Sequence, residues 1–236
     1  MALIPSVDGR PGLDRVLQDW LSAHIDPNSK QAEFYEVEAK LGMLIDRGTR
    51  ERVVLPVTTE TVLASGQWFS FESDLPMSLH QHFNGLLNRQ VQAHALTYSH
   101  LRTVDRIFEG SSSGMKYRVS TGEGMPKPIA IEKRRVSDIA IYFPNAPFDI
   151  RISINLELPI PMPIGVPLKE RQKDRISYKS SDGLQVDLTQ VKQSGELKPR
   201  HELEIECMNP IGLISTPALY KSFIDGIRSI VFATIK

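Results

Sequence analysis

The sequence predicts an α+β protein built on an antiparallel β-sheet, closed or nearly closed, with a few supporting helices. Three observations carry this reading. From His94 onward, segments that alternate polar and apolar residues recur at hairpin spacing, punctuated by Gly, Pro, Ser and Asp; that is the pattern of antiparallel strands. No regular strand–helix–strand alternation interrupts them, so a parallel sheet is not indicated. Two stretches with carboxylates at every second position, Tyr35–Leu41 and His201–Glu206, stand near opposite ends of the chain. The first must rejoin the sheet from before a helical segment.

Composition bounds the function. The chain has 236 residues, 41% of them apolar, with 28 basic and 28 acidic side chains. That length allows one large domain or two small ones, and zero net charge gives no global field for nucleic acid, so any anion site must be local. A single cysteine, Cys207, excludes an intrachain disulfide framework and a cysteine-based zinc site. The six histidines are scattered without metal-ligand spacing. No apolar run reaches membrane-span length and the N-terminus lacks a signal-peptide pattern, so an intracellular, soluble protein is expected.

The elements follow in order. Met1 to Gly12 reads as irregular. Leu13, Val16, Leu17, Trp20 and Leu21 recur at helical spacing, which suits helix packing or a dimer contact. Residues 1–30 are therefore set apart as an N-terminal segment with an amphipathic helix, and residues 31–236 as a single domain. A strand spans about Phe34 to Leu41, Asp46-Arg47-Gly48 turns, and Arg52 to Pro56 reads as a short strand. Thr58 to Trp68 carries no clear pattern. Asp74 and Pro76 mark a helix start, with Leu79, Phe83, Leu86 and Leu87 as its apolar stripe over Met77–Ala93.

Strands are then predicted at Ala95–Ser99, Thr103–Phe108, Met115–Ser120, Ile129–Val136, Ser137–Phe143 and Asp149–Leu158. Pro159, Pro161, Pro163 and Pro167 make the next stretch an extended connector, since proline cannot serve a central strand. Strands resume at Asp174–Lys179 and Leu184–Val191 around the hairpin signal Ser180-Ser181-Asp182-Gly183. The acidic strand follows. Thr216-Pro217 then begins a helix bearing Leu219, Phe223, Ile227 and Ile230.

The charged faces point to chemistry. In a strand, Glu202, Glu204 and Glu206 share one face at spacings of about 7 Å, and Leu203 and Ile205 share the other. Glu36, Glu38 and Lys40 share a face in the same way. Elsewhere whole faces are cationic: Lys133 with Arg135, and Arg171, Lys173 and Arg175 together. A single wet sheet face would mix signs along each strand. A closed barrel with a polar interior lets opposite signs face across a cavity, with apolar outer faces resting on the helices. An acidic patch suits a hard divalent cation and a basic patch suits phosphate, the pairing that metal-assisted phosphoryl transfer uses. For either acidic stretch alone, an amphipathic strand with a solvated outer face is the favoured reading.

Five segments in order carry a resemblance: Glu-Val-Glu-Ala-Lys-Leu-Gly at 36–42, Ile-Glu-Lys-Arg-Arg-Val at 131–136, Arg-Gln-Lys-Asp-Arg-Ile-Ser at 171–177, Val-Asp-Leu-Thr at 186–189 and Glu-Leu-Glu-Ile-Glu at 202–206. Together they resemble the motifs of the fungal-type mRNA-capping RNA 5′-triphosphatases of the triphosphate tunnel metalloenzyme superfamily, over roughly residues 34–232. The resemblance implies an eight-stranded antiparallel tunnel with a polar interior and flanking helices. It implies metal-dependent removal of the γ-phosphate from triphosphate-ended RNA, the first step of mRNA 5′ capping.

The resemblance also implies roles. Glu36, Glu38 and Glu206 would hold manganese or magnesium. Arg118, Lys173 and Arg175 would bind the γ-phosphate, with Lys133 and Arg171 as further tunnel cations. Glu157 would orient the attacking water, and Glu202, Glu204, Asp187 and Thr189 would form the supporting network. For the Arg118 role, Arg102 and Arg106 compete. Lys116, Arg134 and Arg135 read as solvated or structural charges. A homodimer, a nuclear location and recruitment through the guanylyltransferase or the phosphorylated tail of RNA polymerase II are further implications. Two other functions fit the residues: a tunnel enzyme acting on tripolyphosphate or free nucleotides, and a non-catalytic barrel binding polyanions or RNA ends.

Overall fold

The computed structural model describes residues 12–64, 66–112 and 114–235; most of the segment expected to be irregular, Met1 to Gly12, lies outside them. Helix α1 (Leu13–His24) leads through a single 3₁₀ turn into strand β1 (Tyr35–Asp46). After β2 (Thr61–Leu63), β3 (Phe69–Glu72) and α2 (Met77–Gln92) come β4 (Leu96–Glu109), β5 (Lys116–Gly122), β6 (Ile129–Tyr142) and β7 (Asp149–Pro159). The chain ends with β8 (Lys169–Ser180), β9 (Leu184–Gln193), β10 (Arg200–Cys207), α3 (Pro210–Ser215) and α4 (Pro217–Phe232).

Eight strands form a closed antiparallel barrel in the order β10-β9-β8-β4-β5-β6-β7-β1, and β1 pairs back to β10. Closure removes the free edges that an open sheet of this size would expose. Strands β1 and β6 overrun the barrel; β3 pairs with the end of β1 and β2 with the end of β6. There Leu44, Val53, Phe69, Ala140 and Tyr142 make a small second core. Asp149, fully buried, ties this region together. It receives the Arg52 guanidinium at 2.6 Å and the backbone N–H groups of Leu44 at 3.0 Å and Phe143 at 3.1 Å.

Period two decides which way each strand faces. Val37, Ala39 and Leu41 on β1, Ile150, Ile152 and Ile154 on β7, and Leu203, Ile205 and Cys207 on β10 are buried against the helices. Helix α4 contributes Leu219, Phe223, Ile227 and Val231 to this layer, α1 contributes Leu17 and Leu21, and α2 contributes Leu79 and Phe83. The interleaved acidic residues are thereby forced to the barrel interior, as the alternation predicts. Gly183, at φ +88°, closes the β8–β9 hairpin in a conformation that favours glycine. At Gly42 a Cβ would lie 2.3 Å from the Glu72 carbonyl, so only glycine lets β3 approach β1.

Several boundaries differ from the sequence reading. Residues 52–56 form no strand; only a single bridge joins Ile45 and Arg52. The two strands expected at 129–136 and 137–143 are one strand with a bulge between Arg135 and Ser137, which absorbs the break in alternation. Ala95–Ser99 and Thr103–Phe108 likewise belong to the single strand β4. Strand β8 begins at Lys169, earlier than the predicted Asp174. The short β2, β3 and α3 carry too few residues for periodicity to reveal them. Asp74 does not cap α2; its carboxylate accepts the His201 N–H at 2.9 Å. None of the described helices is long and apolar enough to cross a membrane.

Candidate active site

The barrel encloses a polar cavity of about 540 Å³ with side chains from β1 and β4–β10 on its wall. Register explains the clustering. Glu38 lies opposite Glu206 across the β1–β10 seam and opposite Ser153 on β7, while Glu36 lies opposite Asn155. Lys133 pairs in register with Glu157, and Lys40 with both Glu204 and Arg151. Lys173 lies beside Thr103 of β4, and Arg175 beside Thr189 of β9. Carboxylates concentrate on β1 and β10, and cations on β5, β6 and β8 across the lumen.

Ion pairs cross this space. The Lys133 ammonium bonds Glu36 and lies 3.5 Å from Glu38 and 3.4 Å from Glu157. Burial works against its charge, yet Glu38, Glu36 and Glu157 raise its pKa above the usual lysine value. Arg118 donates to Glu157 at 2.9 Å. Although burial opposes it, Arg118 and Lys133 hold the Glu157 carboxyl below its usual range, so it stays anionic. Lys173 sits 2.7 Å from Asp105. Its pKa is lowered by burial and by neighbouring Arg118 and Arg175, against the pull of Asp105. Arg175 reaches Asp187 at 3.1 Å and donates to Thr189 Oγ1 at 3.3 Å. Glu204 contacts Lys40 and lies 3.8 Å from Arg175; these cations overcome burial and depress its pKa to about 2.

Glu206 is the exception. Among the described residues it is the one tunnel glutamate without an ion pair. Burial, then Glu36, Asp187 and Glu204, push its pKa up to about 8. A carboxylate held among carboxylates lacks a positive charge. The buried Ser153 Oγ and Asn155 Oδ1 on the adjacent wall also lack partners. Oxygen donors with missing positive charge fit a hard divalent cation. The described side chains do not by themselves gather three acidic, His or Cys donors into a coordination set, so a cation would have to draw them together.

The remaining predicted residues are placed as follows. Arg171 lines the cavity and donates to Gln193 at 3.2 Å; Glu202 lines it 3.4 Å from Lys40. Asp187 and Thr189 stand behind Arg175 and brace it. Of the three arginines competing for one role, Arg118 points into the tunnel, while Arg102 pairs with Asp174 and Arg106 with Glu170 at partly exposed positions on the outer face. Arg134 pairs with its neighbour Glu132. Arg135, on the same strand face as Lys133, lines the cavity and lies 3.6 Å from Asp138. Sequence reasoning assigned no site role to Lys40, Asp105, Asn155, Arg151 or Arg200. The signal was available in part, because Lys40 continues the Glu36–Glu38 face and Asn155 precedes Glu157 by two. Another concavity, of about 660 Å³, borders Arg102, Asp174, Gln190 and Lys192; Arg102 and Asp174 there neutralise each other.

A closed tunnel with a carboxylate wall facing a cationic wall defines a triphosphate-tunnel protein. The family described as "mRNA capping enzyme, beta chain" matches residues 7–219. The mRNA-capping enzyme subunit beta of Schizosaccharomyces pombe is 36% identical over 84% of this chain and 70% of its own length. That of Yarrowia lipolytica is 33% identical over 88% of this chain and 56% of its own length, so this chain spans only part of those relatives. The S. pombe Pct1 RNA triphosphatase, solved in complex with the Spt5 CTD, superposes with a TM-score of 0.83 at 33% identity, covering 94% of both chains. The mimivirus capping-enzyme triphosphatase shares the fold, with a TM-score of 0.56 at 14% identity. The chain belongs to the family of mRNA capping enzyme beta chains, a family of RNA triphosphatases.

Proposed function

We propose that this chain removes the γ-phosphate from triphosphate-ended RNA and leaves a diphosphate end, using manganese or magnesium. The observation that carries this is the opposition of walls: Glu36, Glu38 and Glu206 on one side, Arg118, Lys133, Lys173 and Arg175 on the other, around one cavity. Glu36, Glu38 and Glu206 would hold the cation, which when bound supplies charge neutralisation at a phosphoryl oxygen. Arg118, Lys173 and Arg175 clamp the γ-phosphate, because charge-assisted hydrogen bonds to phosphate are the strongest available here. Arg171 and Lys133 add positive charge along the wall. Glu157, kept anionic by Arg118 and Lys133, accepts a hydrogen bond from the attacking water and orients it. Asp187, Thr189, Glu202 and Glu204 fix the cations through the contacts described above.

Residues 31–236 act as the catalytic unit, with 1–30 as a segment packed on it through α1. The family places the work in mRNA processing, which supports a nuclear protein. Partners by the same reasoning are a guanylyltransferase and the phosphorylated tail of RNA polymerase II; the S. pombe relative was solved with the Spt5 CTD, and a homodimer is part of the proposal. The test is phosphate release from γ-labelled triphosphate-ended RNA with manganese, with magnesium and with neither, for wild type and Glu38→Ala. Metal-dependent release lost in the variant supports the reading; release that ignores metal, or no release, removes it.

A further inference from the structure

Charge distinguishes the two mouths of the tunnel. Adjacent strands are antiparallel, so β5, β7, β8 and β10 all enter the barrel at one mouth and leave at the other. Three of the four begin with a basic residue, Lys116, Lys169 and Arg200; β7 begins on Asp149, which Arg52 neutralises, and has Arg151 at its third position, while β1 and β4 end there on Asp46 and Glu109. At the opposite mouth these strands end on Gly122, Pro159, Ser180 and Cys207. The other four begin there on Tyr35, Leu96, Ile129 and Leu184, and none of these eight residues is charged. The lumen near that end is faced by Leu101, Met125 and Ile129.

The basic mouth is short of counter-charge. Glu109 stands opposite Lys116, Glu196 lies 3.1 Å from Arg200, and Asp138 lies 3.6 Å from Arg135. No acidic partner lies within ion-pair distance of Arg151, Lys169 or Arg171 among the described residues. The buried Nε atoms of Arg151 and Arg200 have no hydrogen-bond acceptor. Crowding has a visible consequence: burial and the nearby Arg171, Lys116 and Arg200 lower the Lys169 pKa. Like charges that repel one another at a rim are stabilised by a polyanion.

Resting on the reading of the site as an RNA triphosphatase, we propose that the mouth formed by Arg151, Lys169 and Arg200 holds the backbone phosphates of the RNA chain downstream of its 5′ end. The RNA therefore lies with its body over this mouth and its triphosphate inside. Phosphate contacts of this kind carry affinity and salt dependence without sequence preference.

The test compares a triphosphate-ended oligonucleotide with ATP as substrates of wild type, Lys169→Gln, Arg151→Gln and the double variant Lys169→Gln/Arg200→Gln. Lys169 is a rim side chain, so its variant guards against a folding defect, and ATP hydrolysis reports folding in all of them. The expected result is a rise of about 3- to 10-fold in KM for RNA in the double variant, a salt slope smaller by about 1 per lost contact, and a KM for ATP within about twofold of wild type. Parallel rises for RNA and ATP would overturn the proposal, since the residues would then act on the triphosphate. An unchanged KM for RNA would overturn it too. Wild type that hydrolyses ATP but not RNA would instead sink the RNA reading of the site, a failure visible without any variant.

Discussion

Glu38 and Glu206 face each other across the β1–β10 seam that closes the barrel. They come from strands at opposite ends of the sequence, and closure alone brings them together. Two like charges in register destabilise a strand pair unless a cation lies between them. Of this pair Lys133 reaches Glu38, at 3.5 Å, while also serving Glu36 and Glu157, and Glu206 has no ion-pair partner among the described residues. Manganese should therefore raise the melting temperature of wild type, and the increase should vanish in Glu206→Gln. Differential scanning fluorimetry with and without manganese checks this, and activity of the variant should fall by at least about 100-fold if the cation is lost.

Much of this arrangement was legible in the sequence. The alternation of Glu202, Leu203, Glu204, Ile205 and Glu206 sorts these side chains onto two faces, because a pleated strand has only two sides, and barrel closure decides that the acidic one is the lumen. What remained hidden was long-range. Nothing near Asp105 announces that it will meet Lys173, and nothing near His80 announces His201. The bulge after Arg135 joins what read as two strands into one and resets the alternation from Ser137 onward, which local pattern alone does not announce. The resemblance supplied roles that the residues alone left open, such as which glutamate attends to water.

Glu157 separates binding from chemistry. It touches Arg118 and lies near Lys133 but is not in the proposed cation set, so Glu157→Gln should keep the metal-dependent stabilisation. Its kcat should fall by about 10²- to 10⁴-fold with KM little changed, if orienting and accepting a proton from water is its part. Steady-state kinetics beside the fluorimetry decides it.

Arg175 is held by Asp187, Thr189 and Glu204, and Asp187 is fully buried. Asp187→Ala leaves the guanidinium with a longer contact to Glu204 and part of its solvent exposure. The expected loss is about 1–3 kcal/mol of stability, with activity falling further than stability alone accounts for. Urea unfolding and turnover of the same preparation give both numbers.

The tunnel also depends on the helices beneath it. Phe223 of α4 is completely buried under the outer faces of the barrel strands. Phe223→Ala should cost about 3–5 kcal/mol, the usual range for an aromatic truncation that leaves a cavity. Chemical denaturation measures it, and a cost below about 1 kcal/mol would mean the site collapses freely.

His80 of α2 and His201 of β10 pack with ring centroids 5.1 Å apart and planes tilted by 58°, and both Nε2 atoms are buried without partners. Burial, and then His201, lower the His80 pKa. A depressed folded-state pKa means stability that is present above the ordinary histidine value and is lost as pH falls toward the folded value. The His80 contribution should therefore be lost between about pH 7.5 and about pH 5.5, so over that interval the stability of His80→Phe should shift less toward unfolding than that of wild type. Urea midpoints at the two pH values test it.

The central claim is that opposed walls in one tunnel remove a single phosphate from an RNA 5′ end. Mass spectrometry of a short triphosphate-ended RNA, after incubation with the protein and manganese, tests it most directly. The account predicts an RNA lighter by one phosphate, with a diphosphate end and inorganic phosphate released. An RNA left intact, or one carrying a monophosphate with pyrophosphate released, would contradict it.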